Sequence, residues 1–229
     1  MPERTDETPI RRIQKGLAAR YPLFYIVCRE EERLEALLGQ LATTHYGETR
    51  PLQVWTSTEG FSGPGGRLDG TRDPLEALRG IAAADREGFY LLKDFPALFD
   101  DLHLVRGLRN LYHQLADRNR FVFLSHPQLR IPEPLSHQLF VVELGLPTER
   151  EIHDHLLQLA ASHRVPDQVT DETLAGCAAA MKGMALNEVA HLYRRLVAER
   201  KLDLDAALPE IHEEKAAALL KEACLKYIP

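Results

Sequence analysis

Three polar clusters follow apolar runs and carry the residue types best suited to chemistry. Glu30-Glu31-Glu32 comes just after Leu23–Val27, Lys93-Asp94 follows Phe89–Leu92, and Ser125-His126 follows Phe121–Leu124. A carboxylate at a strand end can hold magnesium or take a proton. Ser125, His126 and Asp94 could be drawn as nucleophile, base and orienting acid. Ser125 and His126 are adjacent on an expected strand end, so their side chains diverge. No GxSxG elbow is present. A hydrolase triad is therefore disfavoured. Ten histidines raise the question of a metal site. His153 and His155 are two apart on a predicted helix and face different sides, and His137, His163 and His191 stand alone. A metal centre is not expected.

The elements that position these clusters follow from periodicity. Ile10 to Arg20 reads as a basic helix closed by Tyr21-Pro22, because proline disfavours helix at the preceding residue. Leu23–Val27 is a continuous apolar run, the mark of a strand buried on both faces. From Glu30 to Thr44, leucines at 34, 37, 38 and 41 predict an amphipathic helix. Leu52–Trp55 is a second short strand. Gly60 to Asp73 holds five glycines and Pro64 and reads as a loop. Asp73 caps a helix with Pro74 in its first turn. Phe89–Leu92, Phe121–Leu124 and Leu139–Val142 complete five strands, with a largely helical stretch from Ala97 to Asp117. After Pro147 the strand signal stops. Helices are predicted from Thr148, over 170–181 and 186–199, and through Ile211 and Leu219.

The expected fold is α/β. A five-stranded, mainly parallel core with helices on both faces spans 1–147, and a small helical lid bundle spans 148–229. Composition fits: 45% of the 229 residues are hydrophobic and 27% charged, enough for a sizeable core. The net charge of −6 argues weakly against nucleic acid, whose phosphates favour surplus lysine and arginine. Cys28, Cys177 and Cys224 form no CxxC pair and read as reduced thiols. No run of 18 apolar residues predicts a membrane span, and Met1–Glu7 has no signal-peptide character. A cytoplasmic location is expected.

Five strands followed by a helical lid is the layout of AAA+ ATPases. Particular residues strengthen the comparison. In order they are Arg20-Tyr21-Pro22-Leu23, Glu30-Glu31-Glu32-Arg33-Leu34, Asp73-Pro74-Leu75-Glu76-Ala77-Leu78, Leu91-Leu92-Lys93-Asp94-Phe95, Ile131-Pro132-Glu133-Pro134-Leu135 and Glu213-Glu214-Lys215. Over roughly 10–227 the chain resembles the N-terminal half of an AAA ATPase family named after a hypothetical chloroplast reading frame. Relatives occur in cyanobacteria and other bacteria. The resemblance implies a degenerate AAA-like domain ahead of a second domain with working ATPase motifs. That domain would begin near where these 229 residues end.

Measured against ATPase chemistry, station after station lacks its residue. The segment after the first strand, Cys28 to Arg33, has neither glycine nor lysine in place of GxxxxGK[ST]. Three glutamates there suit a helix N-terminus, each contributing about 0.3–1 kcal/mol, but repel a triphosphate. Asp94 occupies the magnesium-acid position. Its expected fates are to cap a turn before Pro96 or to pair with Lys93 or another base. Phe95 stands where a water-orienting glutamate is expected. Ser125 and His126 occupy a candidate sensor position. Pro134–Gln138 has no arginine finger, and Arg118 and Arg120 lie on the other side of the fourth strand. Gly183–Asn187 has no lid arginine; Arg194 and Arg195 read as a solvated face.

The expected function is a non-catalytic regulatory or oligomerisation module. It needs no cofactor itself; ATP and Mg2+ belong to a downstream ATPase domain. Its partners would be that domain and neighbouring copies in a ring. Glu30, Glu31, Glu32 and Arg67 are the candidate contact residues. Alternatives are a weak nucleotide-binding protein using Asp94 for magnesium, and a clamp-loader-like adaptor.

Overall fold

The computed structural model describes residues 8–47, 52–62, 70–85, 87–162, 170–201 and 203–226. The chain divides into two compact units, Met1–Gly145 and Leu146–Pro229. The first unit holds strands β1 (Leu23–Val27), β2 (Gln53–Thr56), β3 (Gly60–Ser62), β4 (Gly88–Lys93), β5 (Arg120–His126) and β6 (Phe140–Glu143). They form one sheet in the order β3-β2-β4-β5-β1-β6. All neighbouring pairs are parallel except β2 with β3.

The apolar runs are continuous because both faces of the sheet are covered. In β1, Leu23 and Tyr25 face one core while Phe24 and Ile26 face the other. The same parity separates Tyr90 and Leu92 from Phe89 and Leu91, and Val122 and Leu124 from Phe121 and Phe123. Helices α3 (Pro74–Ala83) and α4 (Leu102–Leu115) cover the first face. Helices α1 (Pro9–Ala18) and α2 (Glu31–Tyr46) cover the second, over a layer of phenylalanines in which Phe24 and Phe123 stack at 4.8 Å. α3 starts as its sequence dictates: the Asp73 carboxylate accepts from the Glu76 N–H at 3.0 Å, with Pro74 in the first turn.

Two local readings are corrected. Gly60–Ser62 forms an antiparallel edge strand, making six strands among the described residues where five were expected. Its first residue has φ +74°, and Thr71 Oγ1 lies 2.7 Å from where a Cβ would sit, so glycine is needed there. A three-residue strand opening on glycine is indistinguishable from loop by periodicity. The Phe61 N–H donates to Thr71 Oγ1, and the Trp55 indole donates to the Thr71 carbonyl, pinning the segment. The stretch from Ala97 to Asp117 is likewise two elements. A 3-10 turn at Phe95–Leu98 precedes α4, which starts only at Leu102 with the Asp101 carboxylate capping the His103 N–H.

The second unit is helical: α5 (Glu149–Ser162), α6 (Asp171–Ala180), α7 (Leu186–Ala198) and α8 (Leu204–Lys226). α5 opens on a capping box in which Thr148 Oγ1 accepts from the Glu151 N–H and Glu151 accepts from the Thr148 N–H. Ile152, Leu156, Met181, Val189, Tyr193 and Ile211 are among its buried side chains. Lys215 donates to the carbonyls of Ala180 and Lys182, satisfying acceptors at the end of α6.

Candidate functional site

In open α/β sheets, ligands bind beyond the carboxyl ends of the strands. Here the ends of β1, β4 and β5 meet: Val27 is in register with His126, and Lys93 with Ser125. The topology therefore brings together the Glu30, Lys93-Asp94 and Ser125-His126 clusters.

Only Cys28, Arg29 and Glu30 connect β1 to α2. That turn is too short for the wide, glycine-lined curl of a phosphate loop. The Glu30 N–H donates to Cys28 Sγ at 3.2 Å, an internal partner for a group at the mouth of the helix. Burial pushes the Cys28 thiol up from its ordinary value, favouring the neutral form. Glu30 pairs with Arg33 at 3.1 Å, and the same guanidinium nitrogen donates to the Gly145 carbonyl at 2.6 Å. Glu31 and Glu32 occupy the first turn of α2, where the helix dipole favours acids.

Lys93 decides what occupies this corner. It lies two residues after Leu91 and shares its face of the strand, so its side chain rises on the α2 side. Its ammonium lies 2.9 Å from Glu31 and also pairs with Glu35. Burial alone would push Lys93 down, but the hydrogen bonds it donates to Glu35 and Glu31 outweigh it and hold the group above its ordinary value. A cation is thus present beside the α2 N-terminus, but it is neutralised by the chain's own carboxylates. A lysine raised on folding contributes stability that is complete below its unfolded pKa and lost as pH rises through the folded value. We expect Lys93→Met to cost about 1 kcal/mol, since both carboxylates are partly solvated. The deficit, read from urea unfolding, should be constant from about pH 6 to 9 and shrink above about pH 10.5.

Asp94 does not take either expected role. It sits in the left-handed region at φ +52°, exposed, and its carboxylate makes no capping hydrogen bond. Lys93 pairs with Glu31 and Glu35 instead. The turn is held by backbone: the Asp94 N–H donates to the Ser125 carbonyl, and the Asp94 carbonyl accepts from Ala97, both at 2.9 Å. Phe95 is fully buried, 5.4 Å from Trp55 ring to ring. It serves the core where a base would face water.

Ser125 is buried. His126 Nδ1 lies 3.1 Å from the Gln128 N–H and 2.9 Å from its carbonyl. The Tyr25 hydroxyl donates to the Gln128 carbonyl and accepts from the Arg130 N–H, fixing the loop after β5. Arg120 is buried and donates to the carbonyls of Ile81 and Ala82 at the end of α3. In the helical unit Arg194 is exposed, whereas Arg195 pairs with Glu214 at 3.1 Å. Arg67 lies outside the described residues. Among the described residues no group of three or more His, Cys, Asp or Glu could hold a metal, and no helix is long and apolar enough to cross a membrane.

The model of the family described as SpoVK-like AAA ATPase, N-terminal domain, matches residues 10–144. The chain belongs to this family. Beyond the matched core, this SpoVK-like AAA N-terminal domain is 24% identical over 216 residues to the uncharacterized AAA domain-containing protein ycf46 of Pyropia yezoensis, covering 93% of the chain and 43% of that protein. For the ycf46 protein of Guillardia theta the identity is 27%, covering 92% and 42%. The chain thus spans less than half the length of these relatives. Among solved structures, it is similar to domain III of the Thermotoga maritima replication initiation protein DnaA. The TM-score is 0.53 and the identity 15%, covering 87% of this chain and 88% of that one. A chain of the E. coli MS115-1 HORMA:CdnC:Trip13 complex gives 0.54 at 11%, covering 85% and 73%. At these identities the likeness concerns the fold: an AAA+-like α/β arrangement. Glu35 is the site residue that sequence reading missed, and Lys93 was named there only as a neighbour of Asp94, not as the partner of Glu31 and Glu35. The signal was parity, since Lys93 continues the Phe89, Leu91 face toward α2.

Proposed function

We propose that this chain is a non-catalytic AAA+-like module that regulates or helps oligomerise an ATPase. The working ATPase domain would follow residue 229 in the same polypeptide, and the module would act in the cytoplasm. The observation that carries this reading is the cluster of Lys93 with Glu31 and Glu35 at the start of α2. A triphosphate approaching that helix would meet carboxylates, and the nearest lysine is already neutralised. The short Cys28–Glu30 turn and buried Phe95 support the same conclusion. ATP and Mg2+ are therefore assigned to the downstream domain, and neighbouring copies to a ring. Of the acids at the α2 start, Glu30 and Glu31 are engaged internally, so exposed Glu32 is the best placed to meet a neighbour.

One observation favours a second reading, weak magnesium-nucleotide binding: the Asp94 carboxylate is exposed at a strand end. The leading reading is tested on a polypeptide carrying this module ahead of an intact GxxxxGK[ST] domain. Removing the module should change the number of protomers per particle or the ATP turnover per active site, and the module alone should turn over none. An unchanged protomer number together with unchanged turnover would refute it.

A further inference from the structure

A second feature lies on the opposite face of the sheet, away from Lys93. A cleft of about 680 Å3 runs between α3 and α4. Arg79 on α3, His103 and Arg106 on α4, and Arg118 beyond its end line it, and no carboxylate does. α4 contains no Asp or Glu over its 14 residues. Arg106 and Arg118 are exposed and have no ion-pair partner among the described residues. Arg79 pairs with Glu76, but both are well exposed, and such pairs contribute little.

The floor is apolar. Leu75 and Leu78 reach across Gly107, coming within 3.3 Å and 3.1 Å of where a Cβ would stand. The positive charge is spread along a line. Arg106 stands nine residues before the end of α4, so about 14 Å of helix separates it from the end that Arg118 follows. A single phosphate needs converging donors; a line of guanidiniums over leucines suits an acidic helix with one apolar stripe. Nucleic acid fits less well, because leucines offer nothing to phosphates and the whole chain carries −6.

We propose that the α3–α4 cleft docks an acidic amphipathic helix of a partner protein. Its carboxylates meet Arg79, Arg106 and Arg118, and its apolar stripe seats on half-buried Leu75 and Ala82 and exposed Ala83, above the buried Leu78. This docking is independent of any nucleotide.

The test is selection of displayed random 16-residue peptides on the 229-residue chain, followed by fluorescence anisotropy with the synthesised winners. Enriched peptides should be acidic with apolar residues at helical spacing. Binding should weaken at least about tenfold in the Arg106→Glu/Arg118→Glu double variant, and fall with salt. Arg11→Glu on α1 should leave it unchanged. Arg106 and Arg118 are both exposed, so the double variant should keep the wild-type melting curve. No enrichment, enrichment of neutral or basic peptides, or binding that the double variant retains would overturn the proposal. So would displacement of the peptide by an equal concentration of a 20-base-pair duplex, which would mark the cleft as a nucleic-acid surface.

Discussion

Phe95→Glu, which restores the acid expected beside Asp94, should unfold the α/β unit and create no activity. Phe95 is fully buried against Trp55 and Phe99. Truncating such a ring to alanine costs about 3–5 kcal/mol through lost transfer energy and the cavity left behind. Glutamate adds the cost of placing a carboxylate in an apolar site, which it relieves by staying protonated. Against a total stability of about 5–15 kcal/mol for a domain, either change is severe. Trp55 is the only tryptophan in the chain and touches Phe95, so its emission reports this unit directly. Phe95→Ala should lower the urea midpoint sharply with an unchanged slope, and Phe95→Glu should show exposed-tryptophan emission without denaturant. A folded, stable Phe95→Glu protein would mean that the site tolerates an acid there.

Arg120→Met should cost about 2–3 kcal/mol. The guanidinium is buried at the start of β5 and donates to the last carbonyls of α3, at 2.8 Å from Ile81 and 3.2 Å from Ala82. Among the described residues no carboxylate pairs with it. Its partners are helix-end acceptors and the negative end of the α3 dipole. Methionine keeps most of the stem's packing but leaves those carbonyls unsatisfied; hydrogen bonds to charged groups carry about 1.5–3 kcal/mol. Arg120→Lys should recover part of the loss, because one ammonium reaches carbonyls without the planar fork. Urea unfolding followed at Trp55 reads all three. A loss under about 0.5 kcal/mol would place Arg120 among ordinary surface residues.

The central parallel strands β1, β4 and β5 were legible because each carries an unbroken run of apolar residues, as double burial demands. The Asp73-Pro74 helix start was legible from capping chemistry alone. β3 was not, since Gly60–Ser62 gains its strand character from pairing with β2 and from Thr71, neither visible in three residues. The largely helical stretch from Ala97 was not resolved into two elements because Ala97, Leu98 and Phe99 continue the apolar pattern while the chain makes a tighter turn. At the candidate site, the missing glycine and lysine were visible directly. The occupant was not: Lys93 meets Glu31 and Glu35 only because β4 lies beneath α2, and its neighbour Asp94 was the more obvious acid to assign. The α3–α4 cleft depends on Gly107 letting two leucines approach, a fact of packing.

The most direct measurement is isothermal titration calorimetry of the 229-residue chain with ATP and Mg2+. With Lys93 held by Glu31 and Glu35, no heat beyond dilution is expected up to about 1 mM nucleotide. Micromolar binding that disappears in Asp94→Ala would contradict a site closed by its own ion pairs.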